Sequence, residues 1–246
     1  MKYENLIFEV KENIGIVKIN RPKRKNALNT ETLKELKKVF SELDKSPEVR
    51  VVILTGVGNS FASGGDILEM SKMGDEELEE FGKTFKETFI HVERCRKPVI
   101  AAVNGYALGG GCELAECCDL RIASRNAKFG HLEVNMGVIG GTQRLLKLVS
   151  KGIAFEILYT GKIIDSREAL IIGLVNKVFD ENEFEREVFK IALEISSKSK
   201  EALEAMKKAA NFSGSFDEGL EYEYKLFKDL FFSEEREKAM KKFLEK

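Results

Sequence analysis

The stretch that decides the fold is Pro98-Val99-Ile100-Ala101-Ala102-Val103-Asn104-Gly105-Tyr106-Ala107-Leu108-Gly109-Gly110-Gly111-Cys112-Glu113-Leu114. Val99 to Val103 is an unbroken apolar run, as expected for a strand buried on both faces. A turn at Asn104-Gly105 follows, and then a triple glycine opens a helical pattern. Glycines placed just past a strand and just before a helix let a ligand approach bare backbone N–H groups. The N–H groups near Gly110 face the positive end of that helix.

Outward from this stretch the pattern repeats. Val51-Val52-Ile53-Leu54 is a second buried strand, and Phe61-Ala62-Ser63-Gly64-Gly65-Asp66 is a second glycine turn beyond it. Upstream, Leu6 to Val10 and Ile14 to Ile19 read as two strands joined near Glu12-Asn13. Leu33, Leu36, Phe40 and Leu43 form a helix stripe with Asn29 or Thr30 as its cap, and Leu78, Phe81, Phe85, Phe89 and Val92 form another. Strands and helices alternate up to residue 183, giving an α/β core over 1–183. Residues 184–246 read as helix alone, with Leu220, Tyr224, Phe227 and Phe231 on a stripe that docks on the core or on a neighbouring subunit.

Composition excludes several classes. The 246 residues are 43% hydrophobic and 33% charged with a net charge of −1, which fits a globular chain and offers no electrostatic reason for nucleic acid or an anionic membrane. The N-terminus has no apolar leader and no stretch spans a bilayer, so the expected location is cytoplasmic. Cys95, Cys112, Cys117 and Cys118 read as small buried hydrophobes; a zinc site would have to draw on them together with His91. Gly56-Val57-Gly58 lacks the third glycine of a dinucleotide fingerprint, and Ser63 is not in a nucleophile elbow. Two glycine turns facing each other instead make an oxyanion hole, which needs two convergent N–H donors.

With these residues in place the chain resembles the enoyl-CoA hydratase/isomerase (crotonase) family. The resemblance is carried by Phe61 to Asp66, Pro98 to Leu114, Cys118-Asp119-Leu120-Arg121-Ile122-Ala123-Ser124 and Gly141-Thr142-Gln143-Arg144-Leu145. It extends from Asn20-Arg21-Pro22 and Asn26-Ala27-Leu28-Asn29 to Phe243-Leu244-Glu245-Lys246. It implies a crotonase-type spiral of repeated ββα units with a helical C-terminal region that serves trimerisation and completes the coenzyme A site.

The implied activity is reversible syn hydration of a trans-2-enoyl-CoA to a 3-hydroxyacyl-CoA in fatty-acid metabolism. The implied partner is the acyl-CoA thioester itself, with no other cofactor, no metal, and a homotrimer or hexamer. Ser63 and Gly110 match the positions whose N–H groups hold the thioester oxygen. Glu113 matches the carboxylate for water and Glu133 that for the C2 proton. Ala27, Ser63 to Asp66, Gly110, Phe227 and Lys246 match substrate contacts; Lys23, Arg24 and Lys25 are candidates for the phosphates, though a run of charge of this kind is more often simply solvated.

Two carboxylates on one side of an enoyl group can share a water and do both proton transfers. The pair argues against an enoyl-CoA isomerase, which shuttles a proton with one. An RNA-binding relative would use Lys34, Lys37, Lys38 and Lys45 of the first helix, lysines that any exposed helix face carries. One departure stands out: Gly137-Val138-Ile139 runs straight into Gly140-Gly141-Thr142 where relatives carry a longer, proline-containing stretch. The expectation is a reshaped far end of the acyl pocket.

Overall fold

In the computed structural model, which describes residues 3–245, the chain opens with an antiparallel hairpin of β1 (Leu6–Lys11) and β2 (Ile14–Ile19). Glu12 and Asn13 carry φ of 51° and 63°, the left-handed pair whose twist matches that of the flanking strands. Helix α1 (Thr30–Lys45) follows, and Asn29 is its cap, accepting from Thr32 N at 3.0 Å. Its buried face holds Leu33, Leu36, Phe40 and Leu43.

From β3 (Val51–Gly56) onward the chain winds as a spiral of ββα units. The first unit is β3, β4 (Ser60–Ala62), the single turn α2 (Ile67–Met70) and α3 (Asp75–Glu93). The second is β5 (Val99–Val103), β6 (Tyr106–Leu108) and α4 (Gly110–Glu116). The third is β7 (Leu120–Ser124), β8 (Lys128–Gly130), a 3-10 turn over Glu133–Met136, α5 (Thr142–Leu148) and α6 (Lys151–Thr160). Strand β9 (Ile163–Asp165), α7 (Ser166–Ile171) and β10 (Lys177–Phe179) close it. Each unit gives its first strand to a six-stranded sheet ordered β1-β2-β3-β5-β7-β10 and its second to a four-stranded sheet ordered β4-β6-β8-β9.

Helix α8 (Glu181–Ser196) covers the outer face of the large sheet, packing Phe184, Val188 and Ala192 against Ile14, Val51, Ile53, Ile100 and Ile122. The division expected at 183/184 therefore falls inside a helix that belongs to the core. Helix α9 (Lys200–Ala210) is tethered by charge: the buried Lys97 reaches Glu204 at 3.2 Å, and Lys207 reaches Asp119 at 2.6 Å. Helices α10 (Phe216–Phe231) and α11 (Glu234–Leu244) follow. The stripe Leu220, Tyr224, Phe227 and Phe231 is exposed, so Phe227 is not held by burial in the core as a core stripe would require. The four cysteines are buried and unpaired, and burial pushes each thiol pKa up, which makes them inert packing groups.

Candidate active site

Strands β4, β6 and β8 are neighbours and run parallel, so their C-terminal ends lie along one edge of the small sheet. Ligands of parallel sheets bind outside such ends. Three successive turns of the spiral emerge there: Ser63 to Asp66 after β4, Gly109-Gly110 after β6, and His131 to Glu133 after β8. The glycine run is forced by crowding and by backbone shape. A Cβ on Gly111 would lie 1.9 Å from the Ala62 carbonyl oxygen, so α4 begins pressed against the end of β4. Gly109 sits at φ 51° and ψ −127°, a region that side chains disfavour.

The two glycine turns face each other, but the donor pair differs from the sequence expectation. The Ser63 N–H already donates to the Lys25 carbonyl at 3.1 Å. Two residues on, beyond Gly64 at φ 100°, the Gly65 N–H has no hydrogen-bond partner among the described residues, and neither has the Gly110 N–H. Gly65 N lies 3.7 Å from where a Cβ on Gly110 would be. The converging unpartnered donors are thus Gly65 and Gly110, and Ser63 serves to anchor its turn to the Lys25 loop. Phe85 of α3 packs over Gly110, with its ring tip 2.7 Å from that same Cβ position.

Both glutamates reach this edge. Glu113, in the first turn of α4, accepts from Arg144 Nη1 at 2.6 Å and from Gly141 N at 3.2 Å. Arg144 also donates to Glu93 at 3.0 Å, so one guanidinium bridges α3, α4 and α5. Burial pushes the Glu113 pKa above its ordinary value, and the Arg144 charge opposes that rise without cancelling it. Glu133 begins the 3-10 turn after β8. Its Oε1 lies 3.4 Å from a Cβ position on Gly109 and 2.7 Å from one on Gly140, while its Oε2 is buried without a hydrogen bond.

The shortened segment is therefore not at the far end of a pocket alone, as the sequence led us to expect. Its Gly140 touches Glu133, and its Gly141 donates to Glu113. The loop therefore lies against both carboxylates.

The remaining expected contacts divide. The Ala27 carbonyl accepts from Arg21, and Asp66 pairs with Arg21 at 2.9 Å while capping α2, so both hold the loop that borders the site. A cavity of about 710 Å³ opens beside them, lined by Arg21, Arg24, Thr30, Asp66, Lys72 and Phe81 among others. Lys25 instead lies over the Tyr106 ring at 5.6 Å. Phe227 stands exposed on α10, and Lys246 lies outside the described residues.

Sequence reasoning missed His131, Glu116 and the bridging role of Arg144. Arg144 stood in the quoted Gly141-Thr142-Gln143-Arg144 motif, but its glutamate partners lie 31 and 51 residues away in the chain, so only the fold shows the bridge. The metal-capable residues that do gather, among those described, are Cys112, Glu116 and His131, with donor atoms within 4.8 Å of one another. His91 is not with them; its Nδ1 bonds the Glu87 carbonyl at 2.8 Å.

Comparison with known proteins gives a consistent result. The family model described as enoyl-CoA hydratase/isomerase matches residues 9–246. The chain is 46% identical to the crotonyl-CoA hydratase of Syntrophomonas wolfei, over 100% of this chain and 97% of the relative. It is 45% identical to the short-chain-enoyl-CoA hydratase of Clostridium acetobutylicum, with the same coverage. Its fold superposes on the crystal structure of an enoyl-CoA hydratase from Bacillus anthracis with a TM-score of 0.96 at 32% identity, covering 98% of this chain and 96% of the other.

Proposed function

The chain belongs to the enoyl-CoA hydratase/isomerase family, and from that premise we propose that it adds water reversibly across the double bond of a trans-2-enoyl-CoA to give a 3-hydroxyacyl-CoA. The thioester oxygen accepts from the Gly65 and Gly110 N–H groups. Charge builds on that oxygen as water attacks C3, and each donor of this kind stabilises the transition state by roughly 2.7–4 kcal/mol. Glu113 takes a proton from the water and Glu133 supplies one to C2. Both groups act from the same edge of the small sheet, so the addition is syn. The conjugated thioester is the electron sink, and the reaction needs no further cofactor or metal; turnover is expected to survive exhaustive dialysis against a chelator.

The observation that carries this reading is the convergence of two unpartnered N–H groups and two carboxylates at the ends of three neighbouring parallel strands. The names of the two similar relatives support a short acyl chain as substrate. The exposed apolar stripe on α10 supports assembly into a trimer or a dimer of trimers, in which a neighbour brings Phe227 to the nucleotide. Sedimentation velocity tests that state. Among the described residues no helix is long and apolar enough to cross a membrane, consistent with the cytoplasmic location we propose.

The test is purified protein with crotonyl-CoA in heavy-oxygen water. Loss of the conjugated absorbance with label in a C3 hydroxyl is expected. Migration of the double bond without label, when a 3-enoyl-CoA is supplied, would make the enzyme an isomerase.

A further inference from the structure

Behind Glu133 lies a buried titratable group that the reaction as drawn does not use. His131 is 1% exposed, and its Nε2 donates to Glu116 Oε1 at 2.8 Å. Its other ring nitrogen, Nδ1, has no hydrogen-bond partner and sits 3.7 Å from Glu133 Oε2, which has none either. The imidazole is thus strung between two carboxylates, one structural and one at the candidate site. Burial opposes its charged form, and the Glu116 and Glu133 carboxylates on either side of the ring oppose burial and hold its pKa above the usual histidine value. Burial keeps the Cys112 thiol neutral, so the carboxylates supply the charge that matters.

Stability alone does not account for this group. A buried ion pair gains little over well-packed apolar residues of the same volume, because desolvation offsets most of the attraction. Nor does the cluster read as a metal centre: Nε2 is already bonded to Glu116, and Gly141 is packed on the ring so tightly that a Cβ there would lie 2.0 Å from Cε1. The same contact fixes the ring plane. What the arrangement leaves undone is the one bond between Nδ1 and Glu133 Oε2. Hydrogen bonds of catalytic groups are often long before substrate arrives and tighten in the complex.

We propose that His131, clamped by Glu116 and Gly141, is a positioning residue for Glu133: Nδ1–H anchors Oε2, and this turns Oε1 toward the substrate. Oε1 is the oxygen that faces Gly109 and hence the turn bearing the Gly110 donor. The proton exchanged with C2 therefore resides on Oε1. The proposal rests on the proposed role of Glu133.

The test is a double-mutant cycle on crotonyl-CoA hydration. His131→Gln keeps a donor for Glu116 but withdraws the one facing Glu133. It should lower kcat by ~10–100-fold, the scale of a misplaced catalytic group, with KM unchanged within about twofold. In a Glu133→Gln background the same substitution should cost less than about twofold, because the group it positions is gone. A merely structural role would cost the same in both backgrounds and overturn the proposal. Glu116→Gln, which preserves shape, repeats the cycle if His131→Gln does not fold. Failure of both to fold would make the pair a folding element and overturn the proposal equally. If Glu133→Gln alone keeps full turnover, the hydratase reading of Glu133 falls first. If it loses turnover while His131→Gln and Glu116→Gln do not, only the positioning role falls.

Discussion

Glu113 and Glu133 reach one edge of the small sheet in opposite states of restraint. Glu113 grows from a helix pinned to β4, and both its oxygens are held, one by Arg144 and one by the Gly141 N–H. Glu133 leads a single 3-10 turn, and its inner oxygen is buried without a partner. A fully bonded carboxylate is suited to fixing a water in one place. One whose inner oxygen is left to His131 alone keeps its outer oxygen, Oε1, able to gain and lose a proton without breaking a network. The difference supports giving Glu113 the water and Glu133 the C2 proton.

The largest effects belong to the carboxylates. Glu113→Gln and Glu133→Gln should each lower kcat by ~10²–10⁴ while substrate still binds, as measured by turnover and by calorimetric titration with a product analogue. Next come the donors. Gly110→Pro and Gly65→Pro each remove one N–H and should cost ~10²–10³ in kcat, once circular dichroism shows the fold intact. Gly110→Ala keeps its N–H, but the Phe85 ring must move to admit the new methyl, so a smaller loss is expected.

A short proline-containing insertion between Ile139 and Gly140 comes third. It should shift the ratio of catalytic efficiencies between short and long enoyl-CoAs by ~10-fold, the scale of a gained or lost methylene pocket. Because Gly140 and Gly141 touch both glutamates, it should also lower kcat on crotonyl-CoA. Unchanged kcat with a changed ratio would show that the loop shapes the pocket alone.

The smallest expected effect is a displacement along the pH axis. Glu113 must be ionised to act as base, and burial already raises its pKa above the ordinary carboxylate value. The acid limb of kcat against pH should therefore lie above the ordinary glutamate range. Arg144 favours the ionised form, so Arg144→Gln should move that limb to still higher pH. A limb that stays in place would release Arg144 from any hold on Glu113.

How much of this the sequence disclosed follows from what each signal depends on. The runs at Val51 to Leu54 and Val99 to Val103 announce buried strands because every side chain is apolar, and the helix stripes of α1 and α3 are long enough to show their period. Strands β4, β6 and β8 have three residues each, too short for any periodicity, yet they set the site. Glu113 and Glu133 were legible through the resemblance of their surroundings. The choice between Ser63 and Gly65 was not: it turns on the direction of a peptide N–H, set by Gly64 at φ 100° and by the Lys25 carbonyl. His131 and Glu116 are 15 residues apart, and only the spiral winding, which brings the residue after β8 to the buried side of α4, makes them a pair.

The central claim is that the two carboxylates work as one unit on one bound enoyl group. It is tested most directly by the turnover of the double variant Glu113→Gln/Glu133→Gln on crotonyl-CoA, set beside the two single variants. Groups that act together lose their effect together, so the double variant should be no slower than the worse single, within about fivefold. A loss equal to the product of the two single losses would mean that the glutamates act independently, and would contradict the account.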